Sequence, residues 1–160
     1  STKKPITIKL RKSKNAIKIA KLAEKYVDAI GIHPRTFKQG YSGEPDLAFA
    51  KKLKKSSKVP IIYSGNVDEK NAKELLKTFD FVMVGREAIG DPRIFARLLG
   101  KDLRAGFKDY LKLAIKHKLF FRQIKYQAMN FTKGIEGAKK LRLKLIGAKN
   151  VRDISGAINL

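Results

Sequence analysis

The sequence predicts an α/β fold: four consecutive strand–helix units on a parallel sheet, followed by a basic all-α helical bundle. Three observations carry that reading. Short β-branched or apolar runs alternate with amphipathic stretches through the first hundred residues. The runs are separated by segments long enough to hold a crossover helix, which parallel neighbours require. After Gly100 the strand-like runs stop, and the remaining apolar residues recur at helical spacing.

The elements follow in order. PITIKL (5–10) has the β-branched content of a strand, and in KNAIKIAKLAEKYV (14–27) Ala16, Ile19, Ala20, Ala23 and Val27 mark one helical face. AIGIH (29–33) is the second strand, and PDLAFAKKLKKS (45–56) is a helix after a long loop. VPIIY (59–63) is the third strand, with DEKNAKELLKTF (68–79) a helix capped by Asp68. FVMV (81–84) is the fourth, with DPRIFARLLG (91–100) a helix capped by Asp91 and opened by Pro92. Either a small doubly wound sheet or part of a (β/α)8 barrel accommodates this order.

Beyond Gly100, Phe107, Tyr110, Leu111, Ala114 and Ile115 make the inward face of one helix, while Lys108, Lys112 and Lys116 stack on another face. FRQIKYQAMNF (121–131) turns Ile124, Ala128 and Phe131 inward, and Arg122 and Lys125 outward. GAKKLRLKLIG (137–147) suits a strand or a helix; its helical neighbours favour a helix. The expected division is therefore residues 1–100 and 101–160.

Charge limits the partners. With 37 basic and 14 acidic residues the net charge is +23. Residues 1–100 carry 22 basic and 10 acidic residues, against 15 and 4 in the shorter 101–160 segment. Such a chain gains free energy by releasing counterions from a polyanion, which makes RNA or DNA the leading partner. The absence of cysteine excludes a disulfide frame and a thiolate nucleophile in this chain, and two histidines make a metal site unexpected. No apolar run reaches membrane-spanning length and the first residues lack a signal-peptide core, so a cytoplasmic protein without membrane contact is expected.

Ligands of parallel α/β proteins sit beyond the carboxyl ends of the strands. Those positions hold Lys9 and Arg11, then His33 with the HPRTFKQGYSG loop, then Ser64–Gly65–Asn66, then Gly85–Arg86. Gly65 and Gly85 allow close approach of backbone N–H groups to an anion, and the planar fork of Arg86 suits phosphate oxygens. A strand-end glycine with a surface arginine is the plainer alternative. A lone histidine after a strand, such as His33, is more often a hydrogen-bonded structural residue than a catalyst.

Read together, IKLR (8–11), HPRTFKQGYSG (33–43), SGN (64–66) and GREAIGDPRIF (85–95) resemble the motifs of the tRNA-dihydrouridine synthases in order and approximate spacing. The basic tail RQIKYQAMNFTKGIEGAKKLR (122–142) resembles that family's helical tRNA-binding domain. Family members are flavoenzymes that use NADPH and FMN to reduce uridine in tRNA, with a cysteine as proton donor. The resemblance implies the second half of a TIM-type (β/α)8 barrel in residues 1–100. It places Lys9, Ser64, Gly65, Asn66, Gly85 and Arg86 at FMN and His33 on the flavin or uridine side. It also places Arg35, Lys108, Lys112, Arg122, Lys125, Lys140 and Arg142 on tRNA.

The sequence departs from the family at Pro34 (usually Gly), Ser64 (Asn) and Asn66 (Asp), and it lacks the first four βα units and the catalytic cysteine. The expectation is a chain inactive alone, with the N-terminal half-barrel as a possible separate partner. The alternative is a non-catalytic tRNA- or RNA-binding protein that keeps the fold.

Overall fold

A computed structural model describes residues 3–158 of the chain. Strands β1 (Thr7–Arg11), β2 (Ala29–His33), β3 (Ile61–Tyr63) and β4 (Phe81–Val82) form one parallel sheet in the order β1-β2-β3-β4. The register pairs Lys9 with Gly31, Gly31 with Ile62, and Ile62 with Phe81. Between the strands lie α1 (Ala16–Ala23), α2 (Leu47–Ser56) and α3 (Ala72–Leu76). A doubly wound sheet reverses its strand order at a switch point; this one runs monotonically, as an arc of a barrel does. Of the two arrangements that the sequence pattern left open, this order is compatible with part of a barrel.

Strand alternation explains how the sheet is covered. Ile30, Ile32, Ile61 and Tyr63 are buried with Ala16, Ala20, Ala50, Leu53, Ala72 and Phe79 of the connecting segments. Tyr63 and Phe79 stack with ring centroids 4.8 Å apart. The alternate positions Lys9, Phe81 and Met83 are exposed. Two carboxylates fasten the strand starts. Asp28 accepts the Ile6 N–H (2.7 Å) while its own N–H donates to the Ile6 carbonyl (2.8 Å). Asp80 accepts the Ile61 N–H (2.7 Å) and Lys54 Nζ (2.8 Å). Partial burial pushes the Asp80 carboxyl up, but those donors outweigh it and hold its pKa below the ordinary value.

Several elements are shorter than their sequence patterns. Asp68 does not cap α3; its carboxylate accepts from the N–H groups of Lys70 and Asn71 (both 2.9 Å) and shapes the turn before the helix. Asp91 does not cap α4 (Ile94–Leu98), where Arg93 is the N-cap, and it binds two arginines instead. Ile19 on α1 is substantially exposed, along with Leu22 and Tyr26.

The chain divides into two compact units between Arg86 and Glu87, before the boundary expected at Gly100. The second unit begins with a 3₁₀ turn (Arg86–Ala88) that leads from the first, then α4, α5 (Phe107–Lys116), α6 (Phe121–Phe131), α7 (Ala138–Gly147) and α8 (Val151–Ala157). Its early boundary has a physical reason at Gly90. Gly90 has φ +82, and an added Cβ would lie 2.3 Å from the Asn130 carbonyl oxygen, so the turn before α4 packs directly on the end of α6. Phe107, Ala114, Ile124, Ala128, Leu145 and Ile154 form the core of α5–α8. Ile115, expected inward, is exposed, because the buried stripe runs through Phe107 and Ala114.

Candidate functional site: a cationic cluster at the strand ends

The carboxyl ends of β1 and β2 place Arg11 opposite His33. One residue past β3, the Ser64 N–H donates to the Ile32 carbonyl (2.9 Å), which keeps the Ser64–Asn66 turn beside His33. His33 is partly buried. Burial lowers its pKa, and the charges of Arg11, Arg35, Lys9 and Arg86 lower it further, so the imidazole is neutral at pH 7. Four cations around a neutral histidine make a site suited to an anion.

The loop after β2 is built around two arginines. Arg35 is 1% exposed, and it donates from Nε to the Gly43 carbonyl (3.1 Å) and from Nη1 to Asn66 Oδ1 (3.3 Å). Its expected role on tRNA is therefore corrected: a buried guanidinium occupied by its own loop is a positioning group. Arg11 donates from Nη2 to the carbonyls of Thr36 (3.2 Å) and Gly40 (3.1 Å). Lys12 pairs with Asp46 (2.6 Å), whose other carboxylate oxygen caps α2 at the Phe49 N–H (2.9 Å).

Asn66 joins this loop to the next. It has φ +48, a left-handed conformation that asparagine tolerates better than most residues. Its Oδ1 accepts from both Arg35 and Arg86, and its Nδ2 donates to Glu44 (3.2 Å). Arg86 also lies over the Tyr41 ring, 4.9 Å from its centroid. Arg86 is thereby held at the strand ends while remaining exposed.

The two expected glycines differ. A Cβ on Gly65 would sit 3.1 Å from the Pro45 ring, so a side chain there would crowd the loop. A Cβ on Gly85 would meet nothing within 4 Å, so its backbone is open to a ligand. Lys9 extends along the open sheet face past Gly31, and its Nζ reaches Met83 Sδ at 3.5 Å. Ser64 is partly exposed.

Of the expected RNA contacts in the helical unit, Lys108, Lys112, Arg122 and Lys140 are exposed. Lys125 is half-buried, and its Nζ donates to the Ile146 (2.6 Å) and Ala148 (2.9 Å) carbonyls at the end of α7. This corrects its expected outward position; it completes a helix C-terminus. Arg142 donates from Nε to the buried Thr132 hydroxyl (2.8 Å). Sequence reasoning missed Arg11 as an organiser, although its place at a strand end was a readable signal. Among the described residues no cluster of His, Cys, Asp and Glu could hold a metal ion, and no helix is long and apolar enough to cross a membrane.

A monotonic parallel sheet with a cationic cluster at its strand ends, followed by a separate basic helical unit, defines the class: a βα-repeat protein. Comparison with known proteins narrows it. The dihydrouridine synthase family model matches residues 1–152. A "Probable tRNA-dihydrouridine synthase" of Aquifex aeolicus is 30% identical, covering 94% of this chain and 53% of the relative. One of Rickettsia bellii is 31% identical, covering 100% of this chain and 53% of the relative. A "tRNA-dihydrouridine synthase B" of Pseudomonas aeruginosa is 33% identical over 64% of this chain and 33% of the relative. The chain belongs to the dihydrouridine synthase family, and it spans about half the length of the first two of these relatives.

Proposed function

We propose that this chain supplies the phosphate-holding strand ends and the tRNA-binding helices of an FMN-dependent tRNA-dihydrouridine synthase. The observation that carries the reading is Arg86, fixed on Asn66 beside the open Gly85 backbone. The donor set fits the FMN phosphate: an exposed guanidinium, an unobstructed backbone and a neutral His33 surrounded by cations. Bound FMN supplies the two-electron reduction of uridine, with NADPH as the reductant. Gly85 and Arg86 hold the phosphate, Ser64, Gly65 and Asn66 shape the turn beside it, and Lys9 offers positive charge on the open sheet face. His33 stands on the flavin or uridine side as a neutral donor or acceptor. On this reading residues 1–100 are the second half of a TIM-type barrel, residues 101–160 bind tRNA, and the protein works in the cytoplasm.

The exposed Ile19, Leu22 and Tyr26, together with the exposed Phe81 and Met83, support a further half-barrel as partner. With no cysteine in the chain, turnover by the chain alone is not expected. The same absence favours the second reading, a tRNA-binding protein without turnover. Dihydrouridine formed by pure chain, FMN, NADPH and unmodified tRNA would overturn both statements.

The test of the site is a fluorescence titration of FMN with the chain. One flavin per chain is expected, weakened by at least ~1.5 kcal/mol in Arg86→Ala, the lower end for a charge-assisted hydrogen bond. Equal FMN affinity in Arg86→Ala would remove the phosphate assignment.

A further inference from the structure

The loop after β2 holds an aromatic ring out in water. Phe37 is 87% exposed, although the turn that carries it is tied at several points. Arg11 Nη2 donates to the Thr36 and Gly40 carbonyls (3.2 and 3.1 Å). The Thr36 N–H donates to Gln39 Oε1 (2.9 Å), and the Gln39 N–H returns to Thr36 Oγ1 (3.2 Å). The Gly40 N–H closes the turn on the Phe37 carbonyl (3.1 Å). A backbone fixed in this way positions its side chain, yet the phenyl forgoes the free energy that burial would yield.

Phe37 lines a cavity of about 590 Å³, within the size range of small-ligand sites. Leu10 and Ala16 give this cavity apolar surface, and Lys9, Arg11 and Lys38 give it positive charge. Lys12 also lines it but is paired with Asp46 (2.6 Å). Among the described residues of the lining none is acidic. The Arg11 guanidinium carbon lies 5.8 Å from the Phe37 ring centroid, so aromatic face and cation stand together. Of the residues proposed at FMN, only Lys9 belongs to this lining. The cavity is therefore a neighbour of that site and not part of it.

The two kinds of surface narrow the ligand. Inorganic phosphate would leave the ring and the apolar wall unused, and a neutral aromatic would leave the cations unused. A nucleotide uses both, because its base has a π face and its phosphate a charge. We propose that the cavity seats an unstacked nucleobase of the RNA substrate, stacked on Phe37, with its phosphate toward Lys9 and Lys38. This is a base other than the uridine that reacts beside His33, and its source in RNA rests on the function proposed above. Because the turn is ordered before the base arrives, little loop freedom is lost on binding. Phe37 is a positioning residue: it fixes where the strand enters the site and takes no part in the reduction.

The chain contains no tryptophan, so Phe37→Trp in the full chain is a single local reporter. Its indole fluorescence is followed while a short single-stranded RNA, an abasic strand of equal length, or AMP is added. Binding of the labelled strands to the parent and to Phe37→Leu is measured alongside by anisotropy at several salt concentrations. The side chain is exposed, so neither substitution threatens the fold. Support consists of indole quenching by RNA but not by the abasic strand. Phe37→Leu, which keeps apolar bulk without a π face, should bind RNA about tenfold more weakly, with its abasic affinity and its salt slope unchanged. Equal quenching by both strands overturns the base seat, since phosphate alone would then reach the loop. RNA that binds without changing the indole overturns it too, and leaves the functional reading intact. If the parent binds no RNA, the seat in RNA falls together with that reading. Quenching by AMP at the same concentrations as RNA would assign the seat to a free nucleotide and overturn its source in RNA.

Discussion

The strand ends of the first unit and the fully exposed cations of the second use positive charge in opposite ways. At the strand ends of the first, Arg11, Arg35 and Arg86 are held by carbonyls or by Asn66, each in one geometry. On the second, Lys108, Lys112, Arg122 and Lys140 stand exposed and make no hydrogen bond or ion pair among the described residues. Ordered cations recognise the shape of one anionic group; solvated cations supply a field that any polyanion feels. The first arrangement specifies, and the second attracts.

The largest expected effect tests whether the helical unit is loosely specified because its charges are. Gly90→Ala puts a Cβ against the Asn130 carbonyl at positive φ, and should cost about 3 kcal/mol in denaturant unfolding. A cost near zero would mean that the turn before α4 shifts freely, and the helical unit would be as diffuse as its lysines. Next comes the strand-end frame. Arg35→Ala leaves the Gly43 carbonyl and Asn66 without their buried donor, and should cost about 2 kcal/mol. Proteolysis within 36–43 should accelerate, and Arg35→Lys should not restore protection, because an ammonium lacks the fork. Restoration by lysine would show that charge alone organises the loop.

A smaller effect separates field from fit. Lys108→Gln with Lys112→Gln should lower the salt slope of tRNA binding by about two and alter folding stability by no more than about 0.5 kcal/mol. An unchanged slope would place the RNA elsewhere on the molecule. The smallest effect concerns His33. Its folded pKa lies below 6.5, so the unfolded chain takes up the proton first as pH falls. Stability is full above 6.5 and declines from there down through the folded value. His33→Asn should remove that part of the pH dependence, as read by unfolding midpoints at stepped pH. A midpoint profile identical to the parent's would mean that neither burial nor the surrounding cations act on His33.

The strand–helix rhythm was legible because Ile8, Ile30, Ile32, Ile61 and Ile62 sit in short runs bounded by turns. The place of Arg86 and of the open Gly85 at a strand end was legible because the order of strands and helices fixes which residues follow each strand. Arg35 was not: residue type suggests exposure, and only the return of Gly43 onto its guanidinium buries it. Helix α8 was also missed. Gly156 and the β-branched Val151 and Ile154 weaken its pattern, yet Asn150 and Asp153 form a reciprocal cap that the spacing could have revealed. Ile19 and Ile115 show the limit of periodicity: it identifies a helix without telling how wide its buried stripe is.

The side chain of Asn66 has a wider consequence. A carboxylate in its place would also order two guanidiniums, but it would cancel one of their charges and face Glu44 with a like charge. The neutral amide avoids both. Its oxygen end orients Arg35 and Arg86 while its nitrogen end satisfies Glu44, so the scaffold is polar without being a counterion. An incoming anion meets arginines already aligned and displaces no resident negative charge from between them. Asn66→Asp should therefore keep both guanidiniums aligned while making the site a poorer receptor. Rigidity and affinity, often assumed to rise together, would part at a single atom.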